Sequence, residues 1–189
     1  MDSYLGYVTA YRVWRVCAVN NCYYLRSLSV PELWIPFTPL KAVCNINNNT
    51  YFSEPHSIKH DCGIYAYKNE DFIRLNSTSF GGVVVGKVSL WGYVIEHEMG
   101  YRAEYAYPSE LLYFICMECY KIITSEKALL LRSATIFSSL ESSPVCYYSR
   151  CQICKTLSSF STYLGWQHPS AKTIESHSIF EGLKKEYGI

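Results

Sequence analysis

Two C-x-x-C pairs, Cys116-Met117-Glu118-Cys119 and Cys151-Gln152-Ile153-Cys154, are separated by 31 residues. Each pair sets two sulfurs on one side of a tight turn, and two such knuckles supply four thiolates to one tetrahedral ion at about 2.3 Å each. Any fold that uses them must carry the chain away from the first knuckle and bring it back. The gap exceeds the roughly 15–20 residues common between such pairs, so it calls for long strands or an insertion within a ribbon. Cys146 lies close by in sequence, as a substitute ligand or a bystander. Two other readings compete, core thiols and a redox pair. A redox C-x-x-C usually follows a strand and opens a helix, whereas Cys119 runs into the β-like Tyr120-Lys121-Ile122-Ile123-Thr124. The pattern favours a structural Zn2+ on Cys116, Cys119, Cys151 and Cys154. Four thiolates leave no position for a reactive water, so such a site implies folding rather than catalysis.

The rest of the 189-residue chain limits the classes open to it. About half the residues are hydrophobic (49%), and 17% are charged, below the roughly 25% of ordinary soluble domains. That excludes a disordered chain. A net charge of +1 excludes a protein that coats nucleic acid through bulk positive charge. Eighteen tyrosines favour strands and adhesive surfaces over helical bundles. The opening Met1-Asp2-Ser3-Tyr4-Leu5 has no basic or apolar leader character. The longest apolar run, Leu111–Met117, is far short of the roughly 20 residues a membrane span needs. The expectation is a cytoplasmic protein with no membrane partner, whose nine cysteines serve as ligands, reactive thiols or core residues rather than disulfides.

Hydrophobic periodicity predicts a mainly β (α+β) fold. Residues 5–17 alternate as a strand, Asn20-Asn21 marks a turn, and Cys22–Leu25 returns. Pro31, Pro36 and Pro39 make 30–39 an irregular crossing. Lys41–Cys44 and Cys62–Tyr67 read as short extended pieces, and Asn69 before Glu70-Asp71 as a helix start. Val83–Glu98 and Tyr101–Tyr107 form the clearest strand pair, turning at Met99-Gly100 and closed by Pro108. Ala171–Tyr187 reads as a helix with Phe180, Leu183 and Tyr187 on one face and Gly188 as its cap. The predicted arrangement is a small curled sheet or barrel-like domain over 1–112, a zinc-ribbon-like insertion over 113–158, and a linker with a closing helix over 159–189 that packs on the β domain.

Two weaker constellations carry chemistry. Cys44, His56, His60 and Cys62 bring imidazole and thiolate within 19 residues. They could hold a second metal, or Cys62 could be a nucleophile with His56 or His60 as its base. The plainer reading is a buried Cys44 and surface histidines. In the 89–108 segment, His97, Arg102 and Glu104 could share an acid/base or anion-binding face. The plainer reading there is ordinary cross-strand pairing, with His97 placed near Arg102 and Glu96 near Ala103.

Tyr11-Arg-Val-Trp-Arg-Val16, Trp34-Ile-Pro36, Cys62-Gly-Ile-Tyr-Ala66 and above all Leu90-Trp-Gly92…Glu96-His97…Gly100-Tyr-Arg-Ala-Glu-Tyr-Ala-Tyr-Pro108 resemble a group of small bacterial proteins associated with phages and mobile elements. The resemblance covers about residues 8–110. No activity is assigned to that group, so it transfers no catalytic residue. The cysteine-rich 113–158 segment is where this chain departs from it.

Two function classes follow. The first is a non-enzymatic accessory or adaptor protein that binds a larger protein, nucleic acid or both, within mobile-element or phage-related machinery. Tyr23, Tyr24, Trp34, Tyr101 and Trp166 would stack on bases, and Arg12, Arg15, Arg26 and Lys41 would meet phosphates. The second is a small hydrolase or transferase using Cys62 or the His97/Arg102/Glu104 face. The chain contains no G-x-S-x-G, Walker A, H-E-x-x-H or G-x-G-x-x-G string, so the sequence leans away from an enzyme.

Overall fold

The computed structural model describes residues 6–20, 22–30, 32–43, 62–132, 145–154 and 173–189. It is mainly β. The strands are β1 (Val8–Val19), β2 (Cys22–Arg26), β3 (Leu33–Trp34), β4 (Leu40–Lys41), β5 (Ile64–Tyr67), β6 (Val83–Glu96), β7 (Gly100–Ile115), β8 (Ile122–Ile123), β9 (Ala128–Arg132), β10 (Val145–Cys151) and β11 (Thr173–Glu175). Helix α1 (Glu70–Leu75) follows β5, and α2 (Ser176–Tyr187) follows β11.

β1 organises the sheet. Its first half, Val8–Trp14, lies antiparallel to β6, and Tyr11 also pairs with Tyr67 of β5. Since β6 and β5 both pair with β7, the four strands form a circuit of hydrogen-bonded neighbours. The second half of β1 leaves this circuit. It takes β2 along one edge and β10 along the other, and β10 leads on to β9 and β11. The segment between the two knuckles therefore extends the same sheet through β1.

The hairpin of β6 and β7 is the longest element, and β7 runs well past Pro108 to Ile115. Proline was expected to end the strand because it cannot donate to the ladder. It is tolerated because the register slips there: Val88 faces Pro108 while Lys87 faces Glu110, leaving Ser109 as an extra residue. Bulges are the usual place for proline within a strand.

Alternation along the strands buries one face in a large core. Trp14 and Trp34 meet edge to face with ring centroids 5.6 Å apart, and Leu25, Leu90, Phe114 and Leu130 surround them. The opposite face of the β6/β7 hairpin carries a smaller cluster, with Val13, Val83, Val85, Tyr113 and Ile115 packed on Ile73 of α1. Helix α1 begins as the sequence predicts: the Asn69 side chain accepts from the Asp71 N–H at 3.0 Å, and Glu70 and Asp71 occupy the first turn.

Helix α2 closes the large core with Ile179, Phe180, Leu183 and Tyr187. It starts later than the predicted Ala171, because 173–175 pair with β9 as β11. Its end is a Schellman closure: Gly188 has φ +68°, and the Ile189 N–H reaches the Lys184 carbonyl at 2.9 Å. The Tyr187 hydroxyl sits between two strands, accepting from the Leu25 N–H at 3.0 Å and donating to the Trp34 carbonyl. Tyr107 donates to the Tyr187 carbonyl at 2.9 Å and accepts from the Phe37 N–H at 2.8 Å. No helix among the described residues is long and apolar enough to cross a membrane.

Candidate metal centre

Cys116 and Cys119 lie in the turn joining β7 to β8, whose strands pair through Phe114–Ile123 and Ile115–Ile122. The turn is held by the Cys116 N–H on the Lys121 carbonyl at 3.0 Å and the Tyr120 N–H on the Cys116 carbonyl at 3.0 Å. Tyr120 closes it with φ 57°, a left-handed conformation that costs an L residue roughly 1–2 kcal/mol. Cys151 ends β10, and residues 152–154 make one helical turn that carries Cys154.

Strand pairing brings the knuckles together. The Met117 N–H donates to the Ser149 carbonyl at 2.9 Å. The buried Ser149 hydroxyl donates to the Ile115 carbonyl at 2.6 Å. Arg150, just before the second knuckle, forms an ion pair with Glu118 inside the first. Gly81 and Gly82 leave room for this junction. A Cβ on Gly81 would come within 2.8 Å of the Tyr120 ring, and one on Gly82 within 2.8 Å of the Tyr148 ring.

The four ligand atoms of Cys116, Cys119, Cys151 and Cys154 all lie within 4.8 Å of one another, close enough to hold a metal ion. A tetrahedral site with bonds of about 2.3 Å has sulfurs roughly 3.8 Å apart, and Cys119 Sγ stands 3.8 Å from Cys151 Sγ. Cys116 and Cys154 are buried, Cys119 and Cys151 half-buried. Backbone N–H groups point at the sulfurs: that of Cys151 reaches Cys116 Sγ, and that of Cys154 reaches Cys151 Sγ, each at 3.4 Å. Burial pushes the Cys116 thiol up, but N–H donors from Cys119, Glu118 and Cys151 outweigh it and bring Cys116 down to about 7. Burial, followed by the neighbouring thiols, pushes Cys154 well up. A group of four thiols this close resists full ionisation until a cation supplies the opposing charge.

Cys146 is not one of the four. It lies within β10, five residues before Cys151, and pairs with Cys17 of β1. None of the described cysteines forms a disulfide.

The second cluster falls mostly outside the described residues, since only Cys62 of Cys44, His56, His60 and Cys62 is described. Cys62 lies just before β5, half-buried, on the wall of an apolar recess of about 1050 Å³ that His97 and Arg12 also line. The β6/β7 turn spans 97–99, with the His97 N–H on the Gly100 carbonyl at 2.8 Å. This shifts the pairing by two residues from the predicted register: Arg102 faces Ile95 rather than His97, and Glu96 faces Tyr101 rather than Ala103. His97 is exposed in the turn. Arg102 is buried, its stem against Gly63. Glu104 forms an ion pair with Lys41 at 3.9 Å.

The residues expected to meet nucleic acid are largely taken up internally. Trp34 is 1% exposed, so its ring belongs to the core and cannot stack on a base; its indole N–H donates to Ser27 Oγ at 2.9 Å. Tyr23 packs edge-on to Tyr147. Arg12 donates to the Tyr65 carbonyl and lies over the Trp34 ring. Arg15 lies over Tyr148, and Arg26 donates to Cys146 Sγ. Trp166 lies outside the described residues.

Ser149, Gly81 and Gly82, which join the knuckles, carry no local sequence pattern that marks this role. The chain matches no protein-family model, and neither a curated protein nor a solved structure shows significant similarity to it.

Proposed function

We propose that this protein is a non-enzymatic accessory or adaptor factor whose binding surface is held in shape by a structural Zn2+ on Cys116, Cys119, Cys151 and Cys154. The observation that carries the reading is the closed set of four cysteine sulfurs at the meeting of β7, β8 and β10. Soft thiolates in tetrahedral array select zinc among common cellular ions, and a complete four-cysteine set leaves no open coordination position. The ion would fix two knuckles that carry exposed apolar side chains. Tyr120 is 37% exposed, Ile122 40% and Ile153 71%. Such residues on a rigid support suit a protein partner.

The commitment of Arg12, Arg15, Arg26 and Lys41 to internal partners favours a protein over nucleic acid as the first contact. A place in mobile-element or phage-related machinery rests on the resemblance of residues 8–110 alone.

The test begins with elemental analysis of protein purified without added zinc. One zinc per chain, lost in Cys119→Ser and kept in Cys62→Ser, is the expected result. Absence of metal removes the basis of the reading, and a second equivalent lost in Cys62→Ser moves Cys62 to a metal site. Affinity capture then follows, with nuclease treatment. A stoichiometric protein partner that survives nuclease and is lost in Ile153→Asp supports the adaptor. A turnover lost in Cys62→Ser with the fold intact would instead establish an enzyme.

A further inference from the structure

Away from the metal centre, the second half of β1 builds a different sulfur site. Cys17 and Cys146 are direct cross-strand partners on β1 and β10. Such partners have Cα atoms about 4.5–5.5 Å apart, inside the roughly 4.4–6.8 Å window of a disulfide. The two thiols hydrogen-bond to one another. Strand alternation places Arg15 beside Cys17, Tyr24 and Arg26 on β2, and Tyr148 on β10 on the same face. Arg26 Nη1 donates to Cys146 Sγ at 3.4 Å, and the Arg15 guanidinium lies over Tyr148. Cys17 is fully buried, while Cys146 keeps 8% exposure.

We infer that Cys17 and Cys146 form a peroxide-oxidisable dithiol, with Cys146, held by Arg26, as the sulfur oxidised first and Cys17 as the resolving thiol. The geometry separates the two roles. Cys146 is buried but keeps more exposure than Cys17, and it is the one that receives the guanidinium. Its thiol is drawn downward, first by the hydrogen bond from Cys17 and then, against burial, by the charges of Arg26 and Arg15. Cys17 is pushed upward by its hydrogen bond to Cys146 and by burial, so it keeps its proton.

The chemistry balances with hydrogen peroxide as the oxidant. The Cys146 thiolate attacks one peroxide oxygen, the O–O bond breaks, and hydroxide leaves, giving a Cys146 sulfenic acid. The Cys17 sulfur then attacks the sulfenic sulfur. The S–O bond breaks, the S–S bond forms, and the Cys17 proton leaves with the displaced hydroxyl as water. In total two thiols are oxidised by two electrons and one peroxide is reduced to two waters. A small dithiol reverses the change by exchange. This pair is independent of the metal knuckles, so its outcome does not hang on the proposed adaptor function.

The test uses the full chain in its metal-loaded form. The protein is treated with one equivalent of hydrogen peroxide at pH 7, with and without dimedone, and mapped as non-reduced peptides. The expected result is a Cys17–Cys146 linked peptide with metal retained. Dimedone should trap Cys146 rather than Cys17. Arg26→Gln should slow oxidation about tenfold at pH 7 as the thiolate fraction falls, and the alkylation midpoint of Cys146 should move to higher pH. Cys17→Ser should leave a Cys146 sulfenic acid that persists. Peroxide consumption at the metal cysteines before any Cys17–Cys146 link would overturn the inference. A Cys146 that alkylates with an ordinary thiol midpoint in the wild-type chain would do so too, and neither readout depends on a variant folding.

Discussion

Replacing Tyr187 by Phe deletes one oxygen at the seam between α2, β2 and β3. That oxygen accepts from the Leu25 N–H and donates to the Trp34 carbonyl, and Leu25 and Trp34 are themselves cross-strand partners. The hydroxyl is thus inserted into a strand pair. Tyr187 is 1% exposed and Leu25 fully buried, so water cannot readily take the vacated place. An unsatisfied buried polar group costs about 1–3 kcal/mol. Two such groups, partly relieved if β2 and β3 close directly on each other, give an expected loss of about 2–4 kcal/mol. Against a total stability of about 5–15 kcal/mol this is a large fraction.

The assay is urea unfolding in the presence of Zn2+, followed by tryptophan fluorescence, since Trp14 and Trp34 stand at the same seam. With a slope of about 2 kcal/mol/M, the midpoint should fall by about 1–2 M at unchanged slope. Hydrogen exchange at the Leu25 amide should quicken as well. Tyr107→Phe, whose hydroxyl lies in a partly buried site, should cost less, about 0.5–1.5 kcal/mol. A Tyr187→Phe loss below about 0.5 kcal/mol, the size of a neutral surface change, would refute the view that this hydroxyl fastens α2 to the sheet.

Gly182→Ala should raise stability by about 0.8–1.0 kcal/mol in the same assay, because Gly182 is inside α2 and a Cβ there meets nothing within 4 Å. Stability should also fall as pH rises above about 10. Burial holds the Tyr187 and Tyr113 phenols above their ordinary range, so the unfolded chain loses those protons first. Each tyrosine then contributes a decline of about 1.4 kcal/mol per pH unit until its folded form titrates; midpoints measured at pH 9, 10 and 11 check the sign.

The strands and the four-cysteine cluster were legible in the sequence because both are short-range patterns. The alternation of β1, the turn at Asn20, the Asn69 cap and the α2 face all depend on neighbours a few residues apart. The knuckles were legible because C-x-x-C states its own geometry. The long gap between them is spent on β8, β9 and β10, which return the chain beside β7. The two-residue shift in the β6/β7 pairing came from placing Gly100 in the turn rather than at the strand start. The continuation of β7 past Pro108 depends on a bulge that only the partner strand specifies. The Cys17–Cys146 pair was illegible for the same reason: its members are 129 positions apart, and nothing near either announces the other.

The position of β1 has a kinetic consequence. It precedes the other described strands in the chain, and its partners β6 and β10 lie roughly 70 and 130 positions downstream. At translation rates of about 5–20 residues per second, β1 waits roughly 6–26 s for β10 to emerge. During that time, among the described strands, β2 covers one edge of its second half across a short hairpin. An apolar strand with an open edge is a template for pairing with another chain. The nascent protein therefore passes through a period in which its own central strand is its main aggregation hazard, and that period ends only when the strand leading into the second cysteine pair arrives.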